Sequence, residues 1–332
     1  MRISELDKMI IDRKIIVKRN IKEYNFVTSL SKEDSIEIIE KIKGIVERHD
    51  IFSGGKYMNL NTLDEYMSNE LREKGILDHP EEREEIYSAL FMWDGFYMLI
   101  NYTEHIEIYV TDSEKSFEEL YLQIAKIEDI LESELELAFD EKYGYLTTAP
   151  ENIGTGLTGQ ITFHLPTMVM SGGMDKIYHA ASQIGMDMSP LYEKENTRNY
   201  RFRLKNIYTL GASEHEILDS LKSVSYQILS KELELRDKLL GEKRINIEDR
   251  VYRALGILKN CRIIGYTEAY ENLDDMRFGI ESGLIDCSLR KIDRIIDDIG
   301  NYTIFNNTDA EKLEEIDVKR ASLIRKELED YQ

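Results

Sequence analysis

The run GYLTTAPENIGTGLTG, Gly144 to Gly159, has the composition of a phosphate cradle. Its Gly154-Thr155-Gly156 turn would let backbone amides approach an anion closely, and the surrounding threonines can donate hydrogen bonds. The run holds no Lys, Arg, Cys or His, so any charge completing such a site must come from elsewhere. Arg198, Arg201 and Arg203 cluster with Lys205 in NTRNYRFRLKN. On a strand, Arg201, Arg203 and Lys205 share one face. Two readings follow: an anion site for a phosphate or a phosphorylated side chain, or a solvated face paired with the chain's many acids. His105 and His164 invite acid–base roles, against satisfied histidines beside a strand.

The elements that must position these residues are bounded by the totals. The 332 residues, 42% hydrophobic, allow two domains or one large domain with an appendage. The net charge of -21, from 64 acids against 43 bases, repels nucleic acid and free nucleotides unless a local basic pocket offsets it. No nucleic-acid partner is expected. No stretch approaches the ~18 uninterrupted apolar residues of a membrane span, and the opening MRISELDKMIIDRK is charged throughout. Cys261 and Cys287 show no CxxC spacing. The expectation is a cytoplasmic protein, off the membrane, without a metal site.

Residues 32–48 place Ile36, Ile38, Ile39, Ile42, Ile45 and Val46 at near-helical spacing, with Ser31 as N-cap and Glu33 and Asp34 in the first turn. ALFMWDGFYMLINYTEHIEIYVTD reads as three strands with a hairpin turn at Asp94-Gly95. A long helix follows from about Phe117 to Leu137, then a strand at GQITFHL, a short helix from Met174 to Gly185, a polar loop YEKENTRN and a strand YRFRLKN. A second long helix is expected from Ser213 to about Leu240. From about Lys243 onward four helical segments follow with almost no strand signal, so a boundary is placed near Gly241, dividing 1–241 from 242–332. The mixture without a βαβ rhythm predicts an α+β fold: a twisted, largely antiparallel sheet backed by helices, followed by an all-helical C-terminal domain.

Several strings together resemble one family. GYLTTAPENIGTGL with the following FHLP, NYTEH, RKIIVKRN, EDRVYRALGILKNCR and DVKRASLIRKEL are similar, in order and spacing, to the bacterial protein arginine kinases among the ATP:guanidino phosphotransferases. The resemblance implies a guanidino-kinase catalytic domain followed by a helical dimerisation domain. It implies Mg-ATP as cofactor if activity is retained, arginines clamping the nucleotide phosphates, and carboxylates that orient the guanidinium and accept its proton.

Against that pattern the family positions hold unexpected residues. The first clamp arginine is Lys14, which keeps charge but loses the two-pronged fork, and the second is Ile16. The two substrate-binding glutamates are Tyr102 and Thr103, and the clamp arginine after the histidine is Glu107, a reversal of sign. The loop cysteine is Ala149, the arginine after Gly-Thr-Gly-Leu is Thr158, and the arginine opening the mobile substrate loop matches Ser189 across a one-residue gap. The family's phosphoarginine-reading motif matches Ile316 to Ala321, keeping Asp317 and Arg320, so Arg320 either contacts phosphoarginine or is salt-bridged on an acidic helix. Glu248, Asp249, Arg250 and Arg253 match residues that in the family join the domains and the dimer partner. The resulting expectation is a kinase homologue with a degraded site: a regulatory or scaffolding subunit, a homodimer or a heterodimer with an active paralogue. It would bind phosphoarginine or arginine-phosphorylated or arginine-bearing proteins, possible partners including Clp-type quality-control machinery. The alternative is an active protein-arginine kinase with its clamp rearranged around Lys14, Arg198, Arg201 and Arg203.

Overall fold

The computed structural model describes residues 3–77, 86–192, 198–310, 312 and 315–329. The strands are β1 (Ile10–Arg19), β2 (Lys56–Asn59), β3 (Ala89–Trp93), β4 (Phe96–Ile100), β5 (Ile106–Asp112), the two-residue pair β6 (Phe139–Asp140) and β7 (Gly144–Tyr145), then β8 (Leu157–His164), β9 (Met186–Pro190) and β10 (Arg201–Asn206). The helices are α1 (Ile3–Asp7), α2 (Lys32–Arg48), α3 (Glu65–Glu73), α4 (Phe117–Glu134), α5 (Pro166–Met170), α6 (Met174–Gln183), α7 (Glu214–Asn260), α8 (Tyr266–Glu281), α9 (Leu289–Asp298), α10 (Asn301–Asn307) and α11 (Ile316–Glu327).

Eight strands form one sheet in the order β2-β3-β4-β5-β1-β8-β10-β9, every pairing antiparallel. This is the expected α+β architecture, with the helical C-terminal region following. Local chemistry explains the best-defined elements. Ser31 accepts a hydrogen bond from the Asp34 amide at 3.0 Å and starts α2 where the cap was expected. Asp94 and Gly95 both have positive φ, 40° and 81°, the backbone of a tight two-residue hairpin. Ser116 and Glu119 form a reciprocal capping box that opens α4. In α4, Leu120, Ile124, Ile127 and Leu131 are fully buried at three- and four-residue spacing, each contributing about 1.5–3 kcal/mol of burial.

One face of the sheet packs on α4 and the first half of α7. Ile15 and Val17 of β1 point there and are buried. At Gly159 an added Cβ would stand 2.9 Å from both Leu218 and Leu221, so the missing side chain is what lets α7 lie on the sheet. The span α7 is two helices meeting at a kink at Lys243 (φ -134°, ψ 33°), close to the expected end near Leu240, and the second helix reaches Asn260. One expectation needs correction. The C-terminal region contains a further short helix, α10, in a stretch expected to be a break. A separate apolar cluster built from Ile247, Val251, Leu258, Leu273, Phe278, Ile292 and Ile324 holds the C-terminal helices together. No helix among the described residues is long and apolar enough to cross a membrane.

Candidate functional site

The opposite sheet face gathers the positions singled out from sequence. Side chains alternate along a strand, so the register decides which of them meet. Ile16 lies opposite Tyr109 on β5 and Thr158 on β8, and Lys14 opposite Thr111 and Gln160. Glu107 lies opposite Lys18, and Ser189 opposite Arg203. Lys14, Ile16, Glu107, Thr158 and Ser189 thus share one face across five neighbouring strands, β5, β1, β8, β10 and β9, the fourth contributing Arg203.

The chemistry on that face is largely not that of an anion clamp. Ile16 packs, with Tyr102, against an apolar cluster of Leu71, Leu77, Leu90, Leu99 and Tyr109. Lys14 sets its ammonium 3.7 Å from the centre of the Tyr109 ring, a cation–π contact. Glu107 accepts a hydrogen bond from the Thr103 hydroxyl at 2.6 Å and lies 3.9 Å from the Lys18 ammonium, so its negative charge is partly offset within the protein. Thr103 thus orients Glu107. Ala149 is half-buried, and its carbonyl accepts from the Thr147 hydroxyl at 2.8 Å.

The glycine-flanked loop is closed on itself. The Gly154 amide donates to Tyr145 O (3.2 Å), the Thr155 amide to Thr209 O (3.1 Å), and the Leu157 amide to the Thr155 hydroxyl (3.2 Å). A Cβ on Gly156 would meet Lys18 O at 2.7 Å and the Arg19 guanidinium at 2.6 Å. Arg19 is buried there, donating to Lys18 O (2.7 Å) and Thr155 O (2.9 Å), pairing with Glu128 and stacking 3.5 Å from the Tyr145 ring centre. Next to it, Asn20 donates to Glu104 (2.6 Å) and accepts from the His105 amide (2.9 Å). Glu104 also accepts from the Thr148 amide and hydroxyl, at 2.8 and 2.7 Å. These side chains staple β1, β5 and the loop to one another. Sequence reasoning missed this use of Arg19; a buried arginine satisfied by carbonyls leaves no local signal.

Neither histidine is disposed for proton transfer. His105 accepts from the Ile21 amide at Nδ1 and meets Asn25 O with Nε2, 2.9 Å away. Burial holds it below the usual imidazole range. His164 is fully buried beside Glu281 (3.1 Å); burial, then the charges of Arg277, Arg201 and Arg236, push it well below that range.

At the expected anion site of Arg198, Arg201 and Arg203, two of the three arginines have acidic partners within the protein. Arg201 is 1% exposed and donates to Asp274 (2.7 Å) and Asp293 (2.9 Å). Arg198 donates to Asp275 at 2.7 Å and to Glu271 O at 3.2 Å. Both cations are paired with carboxylates from the C-terminal helices. Arg203 faces Thr162 across the strands, near Asp12. Burial pushes the Asp12 carboxyl up, and the Thr162 hydrogen bond with the charges of Lys14 and Arg203 offsets only part of this. Arg250 pairs with Asp275 at 2.8 Å and bonds the Tyr200 hydroxyl, tying α7 to the segment before β10.

At the C-terminal helix, Arg320 is completely buried. It donates to Ile299 O (2.8 Å) and Ile264 O (2.9 Å) and bonds Asp317 and Asn301. Asp317, half exposed, is its ion partner. The guanidinium is thus engaged by the turns before α8 and α10, and it is not presented to an outside phosphate.

Comparison with known proteins places this geometry. The fold resembles that of guanidino kinases. The duplicated taurocyamine kinase from Schistosoma mansoni matches with a TM-score of 0.62 and 19% identity, over 79% of this chain and 38% of that one. Lombricine kinase matches with a TM-score of 0.59 and 16% identity, over 70% and 68%. Residues 37–235 match the family model described as ATP:guanido phosphotransferase, C-terminal catalytic domain, and residues 244–332 match the protein-arginine kinase McsB C-terminal domain. The chain belongs to the ATP:guanido phosphotransferase family, on its protein-arginine kinase branch. It is 30% identical to the protein-arginine kinase of Staphylococcus haemolyticus, over 98% of this chain and 96% of that one, and 31% identical to that of Clostridium acetobutylicum, over 96% of both.

Proposed function

We propose that this protein is a catalytically impaired member of its family, acting as a regulatory or scaffolding subunit through its shape and its partners. The family's name implies ATP as phosphoryl donor, with magnesium. The residues on the clamp face do not fit that donor. Of the clamp positions only Lys14 carries a positive charge, the half-buried Ile16 packs against an apolar cluster, and Glu107 brings a negative charge that Lys18, 3.9 Å away, offsets only in part. Phosphoryl transfer depends on positioning and on neutralising charge, and one lost donor typically costs ~100- to 1,000-fold in rate. The observation carrying the proposal is Ile16, paired with Tyr109 across the strands and packed against the apolar cluster of Leu71, Leu77, Leu90, Leu99 and Tyr109, where a guanidinium fork would be needed.

The alternative of a clamp rebuilt around Arg198, Arg201 and Arg203 finds no support, since Arg198 and Arg201 are held by Asp275, Asp274 and Asp293. The partners proposed are a second copy or an active paralogue, and arginine-bearing or arginine-phosphorylated protein clients of the quality-control machinery. Arg320 is not assigned to phosphoarginine, because its donors are used internally. The proposed division of labour is a kinase-like unit over 1–241 and a helical association unit over 242–332. Incubating the purified protein with Mg-ATP and an arginine-rich protein, then searching for phosphoarginine by mass spectrometry, tests the proposal. The expected result is no product above a no-enzyme control; stoichiometric phosphoarginine refutes it.

A further inference from the structure

Helix α3 lies over the β3–β5 end of the clamp face, and what holds it there comes from the far end of the chain. Its Leu71, with Leu77 just beyond, shares an apolar cluster with Leu90, Leu99 and Tyr109, against which Ile16 packs. Its other side is tied to α10. Glu70 accepts from the Asn306 and Asn307 amides at 2.7 and 3.4 Å, and Tyr66 stacks on Phe305 with ring centres 4.4 Å apart. Glu73 does more specific work. Its Oε2 accepts from the Tyr302 amide, the Thr303 amide and the Thr303 hydroxyl at 3.0, 3.0 and 3.3 Å. Those are the first amides of α10, whose N-cap residue is Gly300 and has no side chain to accept them. A carboxylate from α3 thus replaces the missing cap, stabilising the helix end through both hydrogen bonding and the dipole. Gly300 makes room for it: an added Cβ would stand 2.3 Å from Glu73 Oε2.

We infer that α3 is a displaceable strap, clasped shut by the Glu73 cap on α10, and that releasing the clasp bares the clamp face. Most of α3's anchorage is polar or aromatic contact with α10. The apolar contribution from α3 itself is Leu71 alone among its fully buried hydrophobic side chains. A helix held by one such residue, a cap, two side-chain hydrogen bonds to Glu70 and one ring stack belongs to the low-stability end of a fold. Losing the cap therefore frees the strap without unfolding the rest. The inference does not depend on whether the face transfers phosphate, and its test does not read activity.

Hydrogen exchange followed by mass spectrometry on the full chain tests it, with two variants acting from opposite sides. Glu73→Ala removes the clasp from the strap. Gly300→Ala leaves α3 untouched and, at the unstrained φ of -55°, only intrudes a methyl group where the carboxylate sits. Each is expected to speed exchange in residues 65–77 and in β3–β5 by roughly ten-fold, the loss of a charge-assisted hydrogen-bond set. Exchange in α4 and in the first half of α7 stays unchanged, and combining the variants adds little to either alone. Faster exchange confined to α10, or none at all in 65–77, overturns the strap. Uniformly faster exchange across α4 and α7 also overturns it, because the clasp would then support the whole fold.

Discussion

Replacing Arg201 with Met separates a structural arginine from a ligand-binding one. The side chain is 1% exposed, its Nε bonds Asp274 and its Nη2 bonds Asp293. Asp293 keeps a second partner, since Arg277 donates to it at 2.8 and 3.2 Å. Asp274 has no comparable substitute: His164 is 3.9 Å away and burial keeps it neutral. Arg201→Met thus strands one fully buried carboxylate, which burial already pushes up and which Arg201 does most to pull back. Breaking a buried pair this way costs about 3–5 kcal/mol, which lowers Tm by roughly 10 °C for a chain of this order of size. The measurement is urea unfolding by circular dichroism, run beside Arg201→Met/Asp274→Asn. The double variant should recover part of the loss, because the stranded charge is gone. A loss below about 1 kcal/mol for the single variant would refute the reasoning, as would unchanged stability with weakened phosphate binding.

Two further outcomes follow from the same geometry. Asp297 is pushed up to about 7 by the protein crowded around it, Arg201 pulling it back and Asp293 and Asp12 adding to the rise. An acid raised in the folded state holds a proton that the unfolded chain loses near pH 4, so its ionised form subtracts from stability most fully above pH 7. Asp297→Asn should therefore raise Tm at pH 8 and lose that advantage as the pH falls to 5. Because the side chain meets water, the gain stays within about 1 kcal/mol; a larger gain at pH 5 than at pH 8 contradicts it. Gly154 has φ +120° and an added Cβ would stand 2.3 Å from Thr209 O, whereas Gly172, at φ +68°, has open space around it. In urea titrations Gly154→Ala should cost about 1–3 kcal/mol or more, and Gly172→Ala about 1 kcal/mol; equal losses would contradict the close approach.

Much of the fold was legible because local signals agreed with the tertiary structure. Ser31 before an isoleucine-rich run, and Asp94-Gly95 between apolar runs, specify α2 and the β3–β4 hairpin without outside help. Elsewhere the decisive partner is distant in the chain. Helix α10 falls in a stretch without a helix start signal, since Gly300 offers no side-chain cap; Glu73, 227 positions away, supplies one. The break in α7 was legible too: the glycine and charged residues around Gly241 mark an end, and Lys243 is where the two helices meet at a kink. At the site, period-two alternation was enough to put Arg201 and Arg203 on one face, and the strand β10 has that register. Sequence could not say that Asp274 and Asp293 would meet Arg201 from another part of the fold. The resemblance sets Ile16, Glu107 and Thr158 at positions where the family pattern has arginines. What lies over the β3–β5 end of that face was not legible, because α3 carries no motif.

The central claim is that this face cannot grip a nucleotide. Titrating Mg-ATP into the full chain by isothermal calorimetry tests it most directly. The account predicts no saturable heat up to millimolar nucleotide. A dissociation constant in the tens of micromolar, abolished by Lys14→Ala, would contradict it.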